Sequence, residues 1–163
     1  KGLSIQEALL QALIHENLKL AVAESCTGGL IAKSVSDVPG ASSCFNGGVV
    51  TYSNESKVDQ LGVSPTTLLE YGAVSEQVAL EMALGTLAAF KANCAIAVTG
   101  IAGPDGATQD KPVGTVCLAV VVDDGIKQYR KVWTQRFPGD RGRVRLHTSL
   151  TALRELLSAI CTL

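Results

Sequence analysis

The sequence predicts a single-domain α/β sandwich over residues 1–163, with a mixed parallel and antiparallel sheet flanked by helices. Three observations carry that expectation. Apolar residues make up 47% and charged residues 18% of 163 residues, enough for one core of ordinary size and too few for two. As far as Thr99, amphipathic helical patterns alternate with short buried apolar runs, the order from which parallel sheets are built. Later in the chain two strand-like segments are joined by a tight turn, which adds an antiparallel pair. No internal repeat, low-complexity tract or linker divides the chain.

The elements follow in order. Leu9, Leu10, Leu13 and Ile14 form a helical stripe between Ser4 and Asn17. Leu20 to Ala23 is an apolar run that suits a buried strand. Thr27-Gly28-Gly29 then opens a helix from Leu30 to Ser36, closed by the turn residues Asp37 to Gly40. Gly48 to Tyr52 is rich in β-branched and aromatic residues and reads as a strand. Ser53-Asn54 suits the cap of a short helix from Glu55 to Leu61, and Ser64-Pro65 the start of another, since proline fits a first helical turn. Ser75 provides half of a capping box for a helix from Glu76 to Lys91. Cys94 to Thr99 is a further buried strand, followed by the glycine-rich loop Gly100 to Gly106. Gly114 to Val122 and Lys127 to Phe137 pair through Asp123-Asp124-Gly125. Leu146, Leu150, Leu153, Leu157 and Ile160 step by four and three along a last amphipathic helix.

Composition narrows the function classes. A formal net charge of −1 gives no electrostatic basis for binding nucleic acid or an anionic membrane. No apolar run reaches the roughly 20 residues of a spanning helix, and Lys1-Gly2-Leu3-Ser4 leads straight into a helical pattern without the apolar core of a signal peptide. The five cysteines are scattered, without CxxC or Cys/His ligand spacing, so reduced thiols in the cytoplasm and no metal site are expected.

Ligands of open α/β sheets lie beyond the carboxyl ends of the strands. Three polar or glycine-rich loops leave strands there: Glu24 to Gly29, Tyr52 to Lys57 and Thr99 to Gly106. Ser25 stands between a strand and a helix start, as a nucleophile whose oxyanion the helix amides would stabilise, or, like Thr27, as a plain N-cap. Gly28 and Gly29 permit close backbone approach. Cys26 is a rival nucleophile, although a reactive thiolate needs an activating neighbour. His15 and His147 lie in the first and last helices and read as surface or core residues, so a serine nucleophile needs another base. A desolvated lysine is one alternative. Lys33 is poorly placed, since eight residues of helix rise roughly 12 Å. Lys57 is better placed, as a base with Tyr52 as relay or as an ordinary solvated lysine. The Gly100 to Gly106 loop matches neither GxGxxG nor a P-loop and suits a tight turn or an anion cradle. Arg141, Arg143 and Arg145 suit either phosphate contact or a solvated helix face.

Taken together, Ala23-Glu24-Ser25-Cys26-Thr27-Gly28-Gly29, Val50 to Lys57, Tyr71 to Glu76, Thr99 to Gly106, Lys111 to Val116 and Gly139-Asp140-Arg141 resemble the CinA C-terminal domain family. The motifs run in order over nearly the whole chain. The resemblance implies a stand-alone nicotinamide-nucleotide amidase of the PncC type, converting nicotinamide mononucleotide to nicotinate mononucleotide and ammonia in pyridine nucleotide recycling. It implies a homodimeric α/β fold with no cofactor or metal, acting on a small nucleotide and on neither nucleic acid nor membrane. Ser25 is then the nucleophile, Lys57 the base and Tyr52 its assistant. Thr27, Gly28, Gly29, Thr99, Gly100 and Gly103 would line the substrate site, with Arg141 contacting phosphate. The alternatives are a non-catalytic nucleotide-binding or competence- and damage-associated module of the same fold, and an amidase for a related small carboxamide.

Overall fold

The computed structural model describes residues 2–163; Lys1, the first residue of the expected domain, lies outside them. In chain order the elements are α1 (Ile5–His15), β1 (Leu20–Glu24), α2 (Leu30–Ser36), a 3₁₀ turn (Ala41–Ser43), β2 (Phe45–Val50), α3 (Asn54–Leu61), α4 (Pro65–Tyr71), α5 (Glu76–Phe90), β3 (Cys94–Gly100), β4 (Thr115–Asp123), β5 (Gln128–Arg136) and α6 (Arg141–Thr162). The five strands form one sheet in the order β2-β1-β3-β4-β5. β1 is parallel to both β2 and β3, whereas β4 is antiparallel to β3 and to β5. The sheet is therefore mixed, as the sequence predicts.

Local chemistry explains most boundaries. Ser4 and Glu7 form a reciprocal capping box at α1, and Ser53, Ser75 and Asp140 each accept an amide of the first turn of α3, α5 and α6. α3 stops at Gly62, whose φ of +69° a residue with a side chain rarely adopts. β2 differs from expectation, running from Phe45 to Val50 instead of Gly48 to Tyr52. Gly47 and Gly48 weaken its strand signal, but the sheet needs a glycine there: a Cβ on Gly48 would lie 2.7 Å from Val22 Cγ2.

The two faces of the sheet carry residues of different size. Val22, Ile96, Val98, Leu118 and Val120 pack with α1, α2 and α6 in one core. Ala23, Ala95, Ala97 and Ala119 face α3 and α5 in the other, where small side chains let α5 approach closely. Gly85 of α5 extends that approach to α3, since a Cβ there would stand 2.0 Å from the Leu61 carbonyl oxygen. Gly85→Ala is therefore expected to cost about 1–3 kcal/mol and to lower Tm by roughly 3–10 °C in a circular-dichroism melt. An unchanged Tm would mean that α3 is free to shift. Among the described residues, no helix is long and apolar enough to cross a membrane.

Candidate active site

The register of the three parallel strands creates the site. Glu24 is level with Val50 on β2 and with Val98 on β3, so the next residues, Ser25, Thr51 and Thr99, emerge side by side at the carboxyl edge. All three are buried. Ser53 caps α3 and turns the chain back, so that Lys57, one turn later, points at Ser25. Its amine lies 3.1 Å from Ser25 Oγ, 2.6 Å from the Thr51 carbonyl oxygen and 3.4 Å from that of Tyr52.

Lys57 is only 1% exposed, and burial pushes its amine below the ordinary lysine value of 10.5. The solvated alternative for this residue is thus excluded. A neutral amine has two N–H groups and one lone pair. In the structure the amine donates to Ser25 Oγ and to the carbonyls of Thr51 and Tyr52; once deprotonated it would keep the two carbonyls and turn its lone pair to the Ser25 hydroxyl. The hydroxyl and the amine are close enough to exchange a proton.

Ser25 and Thr27 are not helix caps. Gly29 occupies the N-cap of α2 in a left-handed conformation and provides no side-chain bond. The cap is the Glu24 carboxylate, 1% exposed, which accepts the Ile31 amide at 2.8 Å, the Ala32 amide at 3.0 Å and the Thr27 hydroxyl at 2.6 Å. This corrects the expected source of oxyanion donors, because these first-turn amides of α2 are already occupied. Among the described residues, the Thr27 amide has no backbone or side-chain acceptor, and the Cys26 amide, next to Ser25, meets only its own thiol.

Ser25, Tyr52, Lys57, Thr99, Gly100, Gly103 and Arg141 line one cavity of about 210 Å³. Thr27, Gly28 and Gly29, expected in the substrate site, lie outside its lining, because the chain has already turned into the start of α2 there. The Thr99 hydroxyl donates to the Ala73 carbonyl at 2.9 Å and fastens the segment before α5 against the cavity. Arg141 donates to the Gly103 carbonyl at 2.8 Å and to the Tyr52 hydroxyl at 3.0 Å, bridging the two loops. Two of its five N–H groups are used in this way. A groove of about 570 Å³ beside Arg136 and Phe137 is larger but holds no nucleophile. Chemistry, not volume, selects the smaller cavity.

The other titratable candidates fall away. Lys33 pairs with Asp37 on the surface, His15 pairs with Glu16, and His147 is exposed. Cys26 lines the cavity, but burial pushes its thiol up to about 12, so it carries no thiolate at neutral pH. Sequence reasoning assigned no role to Glu24, although a carboxylate directly after a buried apolar run was a visible signal. It also gave none to the carbonyls of Thr51 and Ala73, since a backbone oxygen has no sequence signature.

Fold and site together define an α/β domain that presents a buried serine–lysine pair at the carboxyl edge of its parallel strands. The chain belongs to the CinA C-terminal domain family, whose model matches residues 3–160. It is 54% identical over 139 residues to a nicotinamide-nucleotide amidohydrolase PncC of Enterobacter agglomerans, covering 83% of each chain. It is 47% identical over 162 residues to a CinA-like protein of Mycobacterium tuberculosis, covering 98% of this chain and 36% of the relative. Several further relatives are likewise longer, and the chain spans only 36–37% of their length. Among solved structures, the competence damage-inducible protein A of Klebsiella pneumoniae superposes with a TM-score of 0.91 at 34% identity, covering 96% of this chain and 95% of the other. The competence/damage inducible protein of Agrobacterium tumefaciens gives 0.85 at 41% identity, with 97% and 98% covered.

Proposed function

We propose that this chain hydrolyses the carboxamide of nicotinamide mononucleotide, giving nicotinate mononucleotide and ammonia through a serine acyl-enzyme. The observation that carries the reading is the buried Lys57 amine 3.1 Å from Ser25 Oγ. The name of the Enterobacter relative supplies the substrate. Ser25 Oγ attacks the carboxamide carbon while its proton passes to Lys57. The resulting alkoxide is held by the Cys26 amide, which adjoins Ser25 in the cavity lining. Lys57 returns the proton to the departing nitrogen, which leaves as ammonia. Water then attacks the Ser25 ester, again losing a proton to Lys57, and the carboxylate product leaves with Ser25 restored.

The cavity supports this assignment by its size. At about 210 Å³ it is below the roughly 300–1,000 Å³ of sites that enclose drug-sized ligands. It suits one aromatic ring with its amide, leaving ribose and phosphate at the rim where Arg141 stands. In the same reading the protein works as a homodimer in the cytoplasm, where its five free thiols stay reduced. The homodimer follows from the family resemblance and is checked by light scattering.

The test is ammonia release from nicotinamide mononucleotide by the purified chain in the presence of a chelator. Turnover to nicotinate mononucleotide is expected. Tight binding without turnover would favour the regulatory alternative, and turnover only of other carboxamides would favour a related amidase. Cys26→Ala is expected to keep turnover within a few-fold of wild type, and iodoacetamide at neutral pH to leave Cys26 unmodified by mass. Loss of activity with alkylation of Cys26 would transfer the nucleophile to the thiol.

A further inference from the structure

α6 carries two arginines one helical turn apart, and both reach loops of the site. Arg141 takes the Gly103 carbonyl, as described above. Arg145, on the same helix face, crosses 118 residues of sequence to donate from Nη2 to the Thr27 carbonyl at 2.9 Å. Thr27 is thereby gripped at both ends, its hydroxyl by Glu24 at 2.6 Å and its carbonyl by Arg145. The fit around the guanidinium is close. Gly28 has a φ of +62°, and a Cβ there would stand 2.8 Å from Arg145 Nη2. The remaining backbone ties of the loop are Ser25 N to the Val98 carbonyl and Gly28 N to the Ser25 carbonyl, both at 3.1 Å, and Leu30 N to the Thr27 carbonyl at 3.2 Å, so that carbonyl accepts from Arg145 and from the start of α2 together. These bonds fix the peptide planes on either side of the Cys26 amide.

We propose that Arg145 is a positioning residue, which holds the Ser25–Gly28 loop so that the Ser25 hydroxyl faces Lys57 and the adjacent Cys26 amide faces the developing oxyanion. The proposal rests on Ser25 being the nucleophile, as in the function proposed above. Arg145 lies outside the lining of the cavity, so it acts through Thr27 and not on the substrate. Its bond to a neutral carbonyl is charge-assisted, and the flat guanidinium fills the space beside Gly28, which a lysine ammonium would fill less well. Loss of the clamp leaves the substrate pocket intact but lets the reacting groups drift, and displacement of this kind lowers kcat more than it raises KM.

The experiment compares Arg145→Ala, Arg145→Lys, Gly28→Ala and the double variant Gly28→Ala/Arg145→Ala. One readout is kcat and KM for ammonia release, corrected for folded fraction. The other is the rate at which an aryl sulfonyl fluoride labels Ser25, followed by intact mass, which requires no particular amide substrate. Arg145→Ala is expected to lower kcat and labelling by about 10–100-fold with little change in KM, and Arg145→Lys to recover part of the loss. Gly28→Ala is expected to impair wild type by pushing Nη2 away and to do far less in the Arg145→Ala background. Left-handed strain at position 28 is common to both backgrounds and cancels in that cycle. The proposal is overturned by labelling of Arg145→Ala at the wild-type rate, by a raised KM at constant kcat, by independent effects of the two substitutions, or by absence of Ser25 labelling in wild type. If wild type is labelled but releases no ammonia from nicotinamide mononucleotide, the substrate assignment fails and the labelling rates still decide the clamp.

Discussion

Ser25→Ala is expected to lower the turnover of nicotinamide mononucleotide by about 10⁴-fold or more while leaving Tm within a few degrees of wild type. The size follows from the role, because removing a serine nucleophile abolishes the covalent route and leaves only binding and oxyanion contacts to act on water. The fold should tolerate the change. Ser25 Oγ has one protein partner among the described residues, the Lys57 amine, and that amine keeps the Thr51 carbonyl as an acceptor. KM should change little, since the cavity wall loses one oxygen atom. The measurement is steady-state ammonia release, with circular dichroism as the check on folding. Turnover within tenfold of wild type would remove Ser25 from the mechanism and direct attention to water activated by Lys57 alone.

Much of the fold was legible in sequence because local chemistry encodes it. The apolar stripe of α1, the serine caps of α3 and α5, and the four-and-three stepping of α6 are all short-range signals, and each of these elements formed close to its expected place. The strand order was not legible. Nothing local in Leu20 to Glu24 says that its neighbours will be β2 and β3, which are joined to it by crossovers. β2 was placed too late because Phe45-Asn46-Gly47 lacks a β-branched run, while the value of Gly47 lies in what it lets approach, Phe90.

The site was legible to a similar degree. Ser25 stood out for its position between strand and helix, and Lys57 as a better placed lysine than Lys33, with a solvated side chain left open as the alternative. Its burial depends on α3 folding back across the sheet edge, which composition cannot announce. Glu24 was read as part of a motif and not as the cap of α2. Arg145 was one of three arginines in a patch. What separates it from Arg143 is its reach to the Thr27 carbonyl 118 residues away, a contact that exists only in the folded chain. The features missed are thus those made by tertiary contact with backbone oxygens and amides.

Lys57→Met should be the most informative substitution, because it separates function from stability. Methionine keeps the unbranched shape and removes the only amine within reach of Ser25 among the described residues. Loss of a general base lowers rates by about 10²–10⁴-fold, so kcat should fall by at least that range while the protein folds. Stability should move differently. Burial lowers the Lys57 pKa in the folded chain, whereas the unfolded chain has the ordinary value near 10.5. Between those two values the unfolded state binds more protons, so wild-type stability rises with pH across that window. Below the window both states are protonated, and the folded chain bears the whole penalty of a buried ammonium. Methionine has no such penalty at any pH, and replacing a buried charged group by an apolar one of similar volume is often neutral or stabilising. The variant should therefore melt no lower than wild type at neutral pH, and its relative advantage should shrink as pH approaches 10.5. Wild-type kcat should rise over the same window as the amine becomes free to accept the serine proton. A stability difference independent of pH, or a variant that keeps its turnover, would show that Lys57 is neither destabilised by its burial nor the base that activates Ser25.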